Sequence, residues 1–141
     1  MEITSREVRL KKRPRGIPDI DNFEIVEVVV PEPKVNQVRV RNIYLSVDPY
    51  MRNRMRETKS YLPSFQLCKP MPGGCVGEVV NSNNERFQVG DHVLGFQGWR
   101  EYYLSSGKSL TKIDPKKAPI QTYLGVLGIT AYVGLLDIGG F

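Results

Sequence analysis

The sequence predicts a mainly β domain, a partly open barrel of short strands with short helices and a C-terminal helical segment. Three observations carry this. About six to eight short apolar runs follow one another at close spacing, punctuated by 13 Gly and 10 Pro. The run from Gln37 alternates, with Gln37, Arg39 and Arg41 on one side and Val38 and Val40 on the other, the period of a strand with one face in a core and one in water. Beyond Lys117 the character changes, and Ile120 to Leu136 contains no charged residue. The strand pattern fits a Greek-key-like barrel or a sandwich equally.

With 141 residues, 40% hydrophobic and 25% charged, the composition is that of one globular domain with a core of its own. The N-terminus has no apolar stretch of signal-peptide type, so the expected compartment is the cytoplasm. The two cysteines, Cys68 and Cys75, are expected to be free and buried in such a reducing setting.

In chain order, Met1 to Lys12 reads as an edge strand. Six basic residues (Arg6, Arg9, Lys11, Lys12, Arg13 and Arg15) contribute heavily to the net charge of +5. No aromatics interleave with them to stack bases, so a solvated basic face is expected rather than a nucleic-acid arm. Arg13 to Pro18 is a turn. Phe23 to Val30 is a β-branched strand with Phe23, Ile25 and Val28 to Val30 as core. Gln37 to Leu45 is the next strand, ended by Asp48-Pro49. Asp48 is placed to cap one helical turn, Tyr50 to Met55, with Pro49 at its first position. This sets the Tyr50 phenol at the mouth of the barrel.

Glu57 to Pro72 is a loop of a length that often marks a lid or binding segment. Gly73-Gly74 opens a strand to Val80, by close approach of a neighbour or as a bulge. Asn81 to Glu85 is a polar turn, and Gly90-Asp91 a second turn feeding a strand to Gly95. Trp99 to Leu104 and Leu110 to Ile113 complete the β set. Pro115 to Pro119 starts the helical segment. Its apolar continuation lies at the lower limit for a membrane span, but its glycines and its place after a β domain predict burial against a partner surface, with self-association if that surface is missing.

The chemistry is narrowed by what is scarce. Cys68, Cys75 and His92 are at most three scattered candidate ligands, too few for a four-cysteine site, so no zinc is expected, and His92 reads as a bystander in a turn. No Gly-x-Ser-x-Gly elbow and no Gly-rich phosphate loop occurs. Tyr50 remains, able to donate a hydrogen bond to a carbonyl oxygen as negative charge develops there, although the residues alone favour a half-buried tyrosine packed on the helical turn.

The stretch Tyr44-Leu45-Ser46-Val47-Asp48-Pro49-Tyr50-Met51-Arg52 resembles the signature of the zinc-independent medium-chain dehydrogenases/reductases, in the alkenal/one double-bond reductase and prostaglandin reductase branch. Leu10 to Pro18, Gly73 to Val80, Phe87 to Leu94, Gly98 to Tyr102 and Leu124 to Gly139 resemble it in the same order. The resemblance implies a GroES-like catalytic domain at 1–118 and, at 119–141, the start of a helical connection to a Rossmann domain. It implies NADP(H) as cofactor, no metal, and reduction of the C=C bond of α,β-unsaturated aldehydes or ketones. Pro49 and Tyr50 would border the nicotinamide, Tyr50 would act catalytically, and Tyr50, Phe96 and Trp99 would meet the substrate. Gly74 stands where some plant members carry tyrosine, implying a wider pocket. The stretch Gly128 to Tyr132 is shorter than in relatives. No dinucleotide loop lies in these 141 residues, so they are expected to be inactive alone. The alternative is a non-enzymatic β-barrel interaction module with a basic, nucleic-acid-binding N-terminal strand. Neither a membrane nor, on the first reading, nucleic acid is an expected partner; a small enone and further copies of the chain are.

Overall fold

In the computed structural model, residues 1–57 and 62–125 are described. The positions Gly128 to Tyr132 and most of the apolar C-terminal stretch lie outside them. Seven strands form two sheets that do not close on each other: β1 (Ile3–Leu10) with β2 (Phe23–Val30), and a five-stranded sheet of β3 (Val38–Leu45), β4 (Cys75–Ser82), β5 (His92–Gly95), β6 (Tyr102–Ser105) and β7 (Thr111–Ile113) in the order β6-β3-β4-β5-β7. All described pairings are antiparallel.

The valines of β3 behave as their alternation demands. Val38 and Val40 are fully buried with Val79, Val93, Cys75, Phe87, Tyr103 and Leu110. Each such aliphatic side chain contributes roughly 1.5–3 kcal/mol by leaving water. Gly77 lets β3 and β4 come this close: a Cβ there would lie 2.5 Å from the Arg41 carbonyl oxygen. A second cluster of Leu10, Met51, Met55, Phe65 and Met71, flanked by Val8, Phe23, Tyr50 and Trp99, packs the long loop and the helical turn against β1.

The β1–β2 ribbon is fastened to the five-stranded sheet by polar groups. Ser5, fully buried, receives the Tyr102 N–H at 3.0 Å. The Val8 N–H donates to the Trp99 carbonyl at 2.8 Å and the Glu101 N–H to the Arg6 carbonyl at 3.0 Å. The Arg6 side chain pairs with Glu101. Glu7, only 7% exposed, is bracketed by Arg9 at 3.0 Å and Arg100 at 3.5 Å.

Several expectations are corrected. Arg39 is buried rather than wet: its guanidinium donates to the carbonyls of Met1 at 3.0 Å, Pro31 at 3.3 Å and Val30 at 3.5 Å, so it ties the open end of the ribbon, where β1 starts and β2 stops, to β3. Ile25 and Val29 are exposed, at 70% and 60%, because a two-stranded ribbon covers only one of its own faces. Cys68 is exposed and only Cys75 buried. Of the six basic residues Arg6, Lys11, Lys12 and Arg15 are exposed, as a solvated face requires, while the half-buried Arg13 departs from it, its guanidinium donating to the carbonyls of Met55 and Phe65. β4 runs on to Ser82, and the aromatic strand begins only at Tyr102. His92 heads β5, half-buried, instead of lying in the turn. Pro115 to Pro119 forms turns, and the helical geometry that follows is a 3-10 turn at Ile120–Leu124.

Arg39→Ala removes three carbonyl partners at once. Urea unfolding is expected to show a loss of about 2–3 kcal/mol, the range for a hydrogen-bonded charge, with faster exchange of the β1–β2 amides. Acid should act on the same ribbon through Glu101. The Arg6 side chain, then the Arg6 backbone N–H, hold the Glu101 carboxyl below the ordinary carboxylate range. Its stabilisation is therefore present above that range and lost as pH falls through the depressed value. Thermal melts between about pH 6 and pH 2 should show Glu101→Gln less stable than the parent at the upper end and converging with it at the lower.

Candidate functional site

The end of β3 is held to the start of β4 by the Ser46 N–H, which donates to the Gly74 carbonyl at 2.8 Å. From there the chain leaves the sheet through Val47-Asp48-Pro49 into α1 (Tyr50–Arg54). The turn is capped differently from expectation. Pro49 is the N-cap, and the Met51 N–H reaches the Asp48 carbonyl at 3.0 Å. The Asp48 carboxylate instead receives the Ser46 hydroxyl at 2.6 Å. Two residues apart in extended chain, these side chains fall on the same side.

These residues form one wall of a cavity of about 960 Å³. Ser46, Asp48, Pro49, Tyr50 and Gly74 face Leu94, Gly95 and Phe96 at the end of β5, and Leu62, Gln121, Tyr123, Leu124 and Gly125 complete the lining. Tyr123 is fixed by its hydroxyl, which donates to the Asp114 carbonyl at 2.9 Å. Gly74 leaves room. A Cβ there would meet Leu124 Cδ2 at 3.5 Å and Ser46 Cβ at 3.6 Å, ordinary contacts, so the opening comes from the missing side chain and not from a special backbone. Gly73 serves close approach: a Cβ would clash with Met51 Cε at 2.6 Å.

The structure thus brings Pro49, Tyr50 and Phe96 to one cavity. Phe96 is 47% exposed at its lip, while Tyr50 is half-buried and also packs on the methionine cluster. Trp99 is elsewhere. It lines a smaller groove of about 280 Å³ with Val8, Ile25, Ile43, Tyr44, Leu45 and Arg100, between the ribbon and β3. Its backbone sits at φ 55°, a costly conformation for a bulky residue, which aims its carbonyl at Val8.

Ser46, Leu94, Tyr123 and Leu124 were not singled out by sequence reasoning, and Asp48 was read only as a cap. The Ser-x-Asp spacing beside Pro-Tyr was the signal for the first pair. Nothing local marks the 3-10 turn as a cavity wall. Among the described residues no three His, Cys, Asp or Glu side chains are grouped to hold a metal, and no helix is long and apolar enough to cross a membrane.

Behind Gly95, Cys75 donates its thiol to the Tyr103 hydroxyl at 4.0 Å. Burial pushes the Cys75 thiol up, against smaller opposing effects from the Gln97 backbone and Tyr103. A thiol kept protonated is a poor nucleophile.

A model of the N-terminal domain of oxidoreductases matches residues 6–113. The NADPH-dependent curcumin reductase of Escherichia coli is 47% identical over 92% of the chain, which covers 39% of that protein. The NADP-dependent 2-alkenal reductase of Nicotiana tabacum is 40% identical over 97% of the chain, covering 42% of the relative. Among solved structures, CurA from Vibrio vulnificus in complex with NADPH superposes with a TM-score of 0.84 at 38% identity, over 94% of this chain and 40% of that one. The chain therefore spans about two fifths of the length of the relatives it matches.

Native labelling with iodoacetamide is expected to modify Cys68 alone and to reach Cys75 only after denaturation. Mass spectrometry of the tryptic peptides checks this.

Proposed function

The chain belongs to the family of oxidoreductase N-terminal domains, mainly β and GroES-like in fold, and we propose that it forms the substrate-binding half of an NADPH-dependent reductase acting on the C=C bond of α,β-unsaturated aldehydes or ketones. The observation that carries this is the convergence of Pro49, Tyr50 and Phe96 on one largely apolar cavity. In this reading residues 1–118 are the catalytic domain and 119–141 begin the link to a dinucleotide-binding domain in a cytoplasmic enzyme.

The residues present fit the nicotinamide end of the cofactor. Pro49 and the side-chain-free Gly74 leave a flat, open wall with ordinary contact distances behind it, on which a planar ring can lie. A pyrophosphate grip needs backbone N–H groups at a helix N-terminus, and the described residues offer no Gly-rich loop leading into one. When bound, NADPH supplies a hydride to the β-carbon of the enone. Tyr50, on the rigid turn at the cavity wall, donates a hydrogen bond to the carbonyl oxygen as charge moves there, and Phe96 and Leu94 exclude water from the apolar part of the substrate. Gly74 widens the pocket toward Leu124, favouring bulky substrates. The pairing of Arg6, Arg9 and Arg13 with carboxylates and carbonyls supports a small molecule over nucleic acid as partner.

Residues 1–141 alone are expected to reduce no enone, since positioning the reacting atoms requires the cofactor to be held to within about 3–3.5 Å. Joined to the dinucleotide-binding domain of a relative they should do so. In that fusion Tyr50→Phe should lower kcat by roughly 10- to 1000-fold while NADPH affinity measured by fluorescence changes little. A Tyr50→Phe fusion as active as its parent would remove Tyr50 from the chemistry.

A further inference from the structure

Among the described residues that line the cavity, one side chain is charged, and it is acidic. Asp48 stands on the wall next to Pro49 and Tyr50, and the other described lining residues include no Lys, Arg or His. Its placement is fixed at three points. The Ser46 hydroxyl donates to Asp48 Oδ2 at 2.6 Å, the Asp48 carbonyl takes the Met51 N–H, and the Ser46 N–H is tied to Gly74. The cations of α1 are turned away from it. Arg52 donates to the Gly16 carbonyl, and Arg54 lies 4.3 Å over the Phe65 ring and donates to the Pro63 carbonyl at 2.9 Å. A chain with a net charge of +5 thus presents a negative charge in its largest described cavity, where apolar walls strengthen its reach.

We propose that Asp48, oriented by Ser46, is a specificity-determining residue that makes the cavity reject substrates carrying a carboxylate in place of the carbonyl group. The substrate half it admits is then a neutral α,β-unsaturated ketone or aldehyde and not an α,β-unsaturated carboxylate of the same skeleton. The inference rests on the reading of this cavity as the enone site. It adds a filter by charge to one by size: a carboxylate brought against Asp48 loses its water and meets a like charge, whereas a carbonyl group meets neither cost.

The test uses saturated, unreactive ligands of one skeleton with the 141-residue chain: 4-phenylbutan-2-one, 3-phenylpropanoate and 2-phenylethylammonium. Affinities are read from amide chemical shifts at Tyr50, Gly74 and Phe96. The ketone should bind at least roughly tenfold more tightly than the carboxylate, and the ammonium more tightly than the carboxylate by a similar or larger factor. Asp48→Asn keeps an acceptor for the Ser46 hydroxyl and removes the charge. It should bring the carboxylate to within about threefold of the ketone. The charge series on the parent chain stands even where the variant fails to fold. Equal binding of ketone and carboxylate to the parent would overturn the filter and leave the enone site intact. Failure of the ketone to shift any of these amides would overturn the cavity reading, and the filter with it.

Discussion

β3 is hydrogen-bonded on both sides from Val38 to Asn42, to β4 on one side and to β6 and the adjoining Glu101 carbonyl on the other, and beyond that it pairs with β4. The pairing with β4 shifts between Arg39 and Val40 and again between Asn42 and Tyr44, and each irregularity adds twist and bends the strand. The Asn42 amide clamps the free side of the bend by donating to the Arg100 carbonyl at 2.8 Å. The outer part of β3 stays paired with β4 as far as Leu45 and is fastened to Gly74 by the next residue, Ser46. The cavity wall at Asp48, Pro49 and Tyr50 inherits its position from this strand. A site on a sheet's end is held with more precision than one on a free loop.

Around this frame the charges are spent locally. Glu7 answers Arg9 and Arg100, Glu101 answers Arg6, Glu78 answers Arg41 at 2.8 Å and Asp91 answers Lys112 at 2.7 Å. Exposed pairs of this kind add little stability each. The half-buried ones are different, because Arg100 is pushed down by its own burial and raised again chiefly by Glu7. Removing Glu7 would leave that guanidinium poorly compensated, a loss larger than the intact group's own contribution to stability.

What could be read from the sequence was whatever repeats with a short period or interrupts it. Val38 and Val40 alternate and are core; Gly90 stands at φ 92° where a turn was expected. Tyr50 was legible as a mouth residue from the strand and the turn after it, whereas Pro49 and Phe96 were assigned to a site only through the resemblance; all three line the cavity. Illegible were the residues whose partners come from far along the chain. Arg39 looks like a solvent-facing strand residue until carbonyls from Met1, Val30 and Pro31 converge on it. Ile25 and Val29 look like core because β-branched residues favour strands, but propensity does not say how many faces a ribbon covers. Trp99 was grouped with the substrate through the resemblance, and the left-handed backbone that turns it toward the ribbon leaves no mark in composition.

That turn of Trp99 gives the molecule a built-in optical gauge. It is the chain's one tryptophan, and its indole is half-buried between the ribbon-side groove and the methionine cluster. Its emission therefore follows the seam where β1 meets the barrel, since the Trp99 carbonyl is bonded to Val8 and any parting of the two wets the ring. The large cavity lies outside its lining contacts, so quenching or a red shift of this signal reads loosening of the ribbon, while occupancy of the cavity has to be followed through other nuclei.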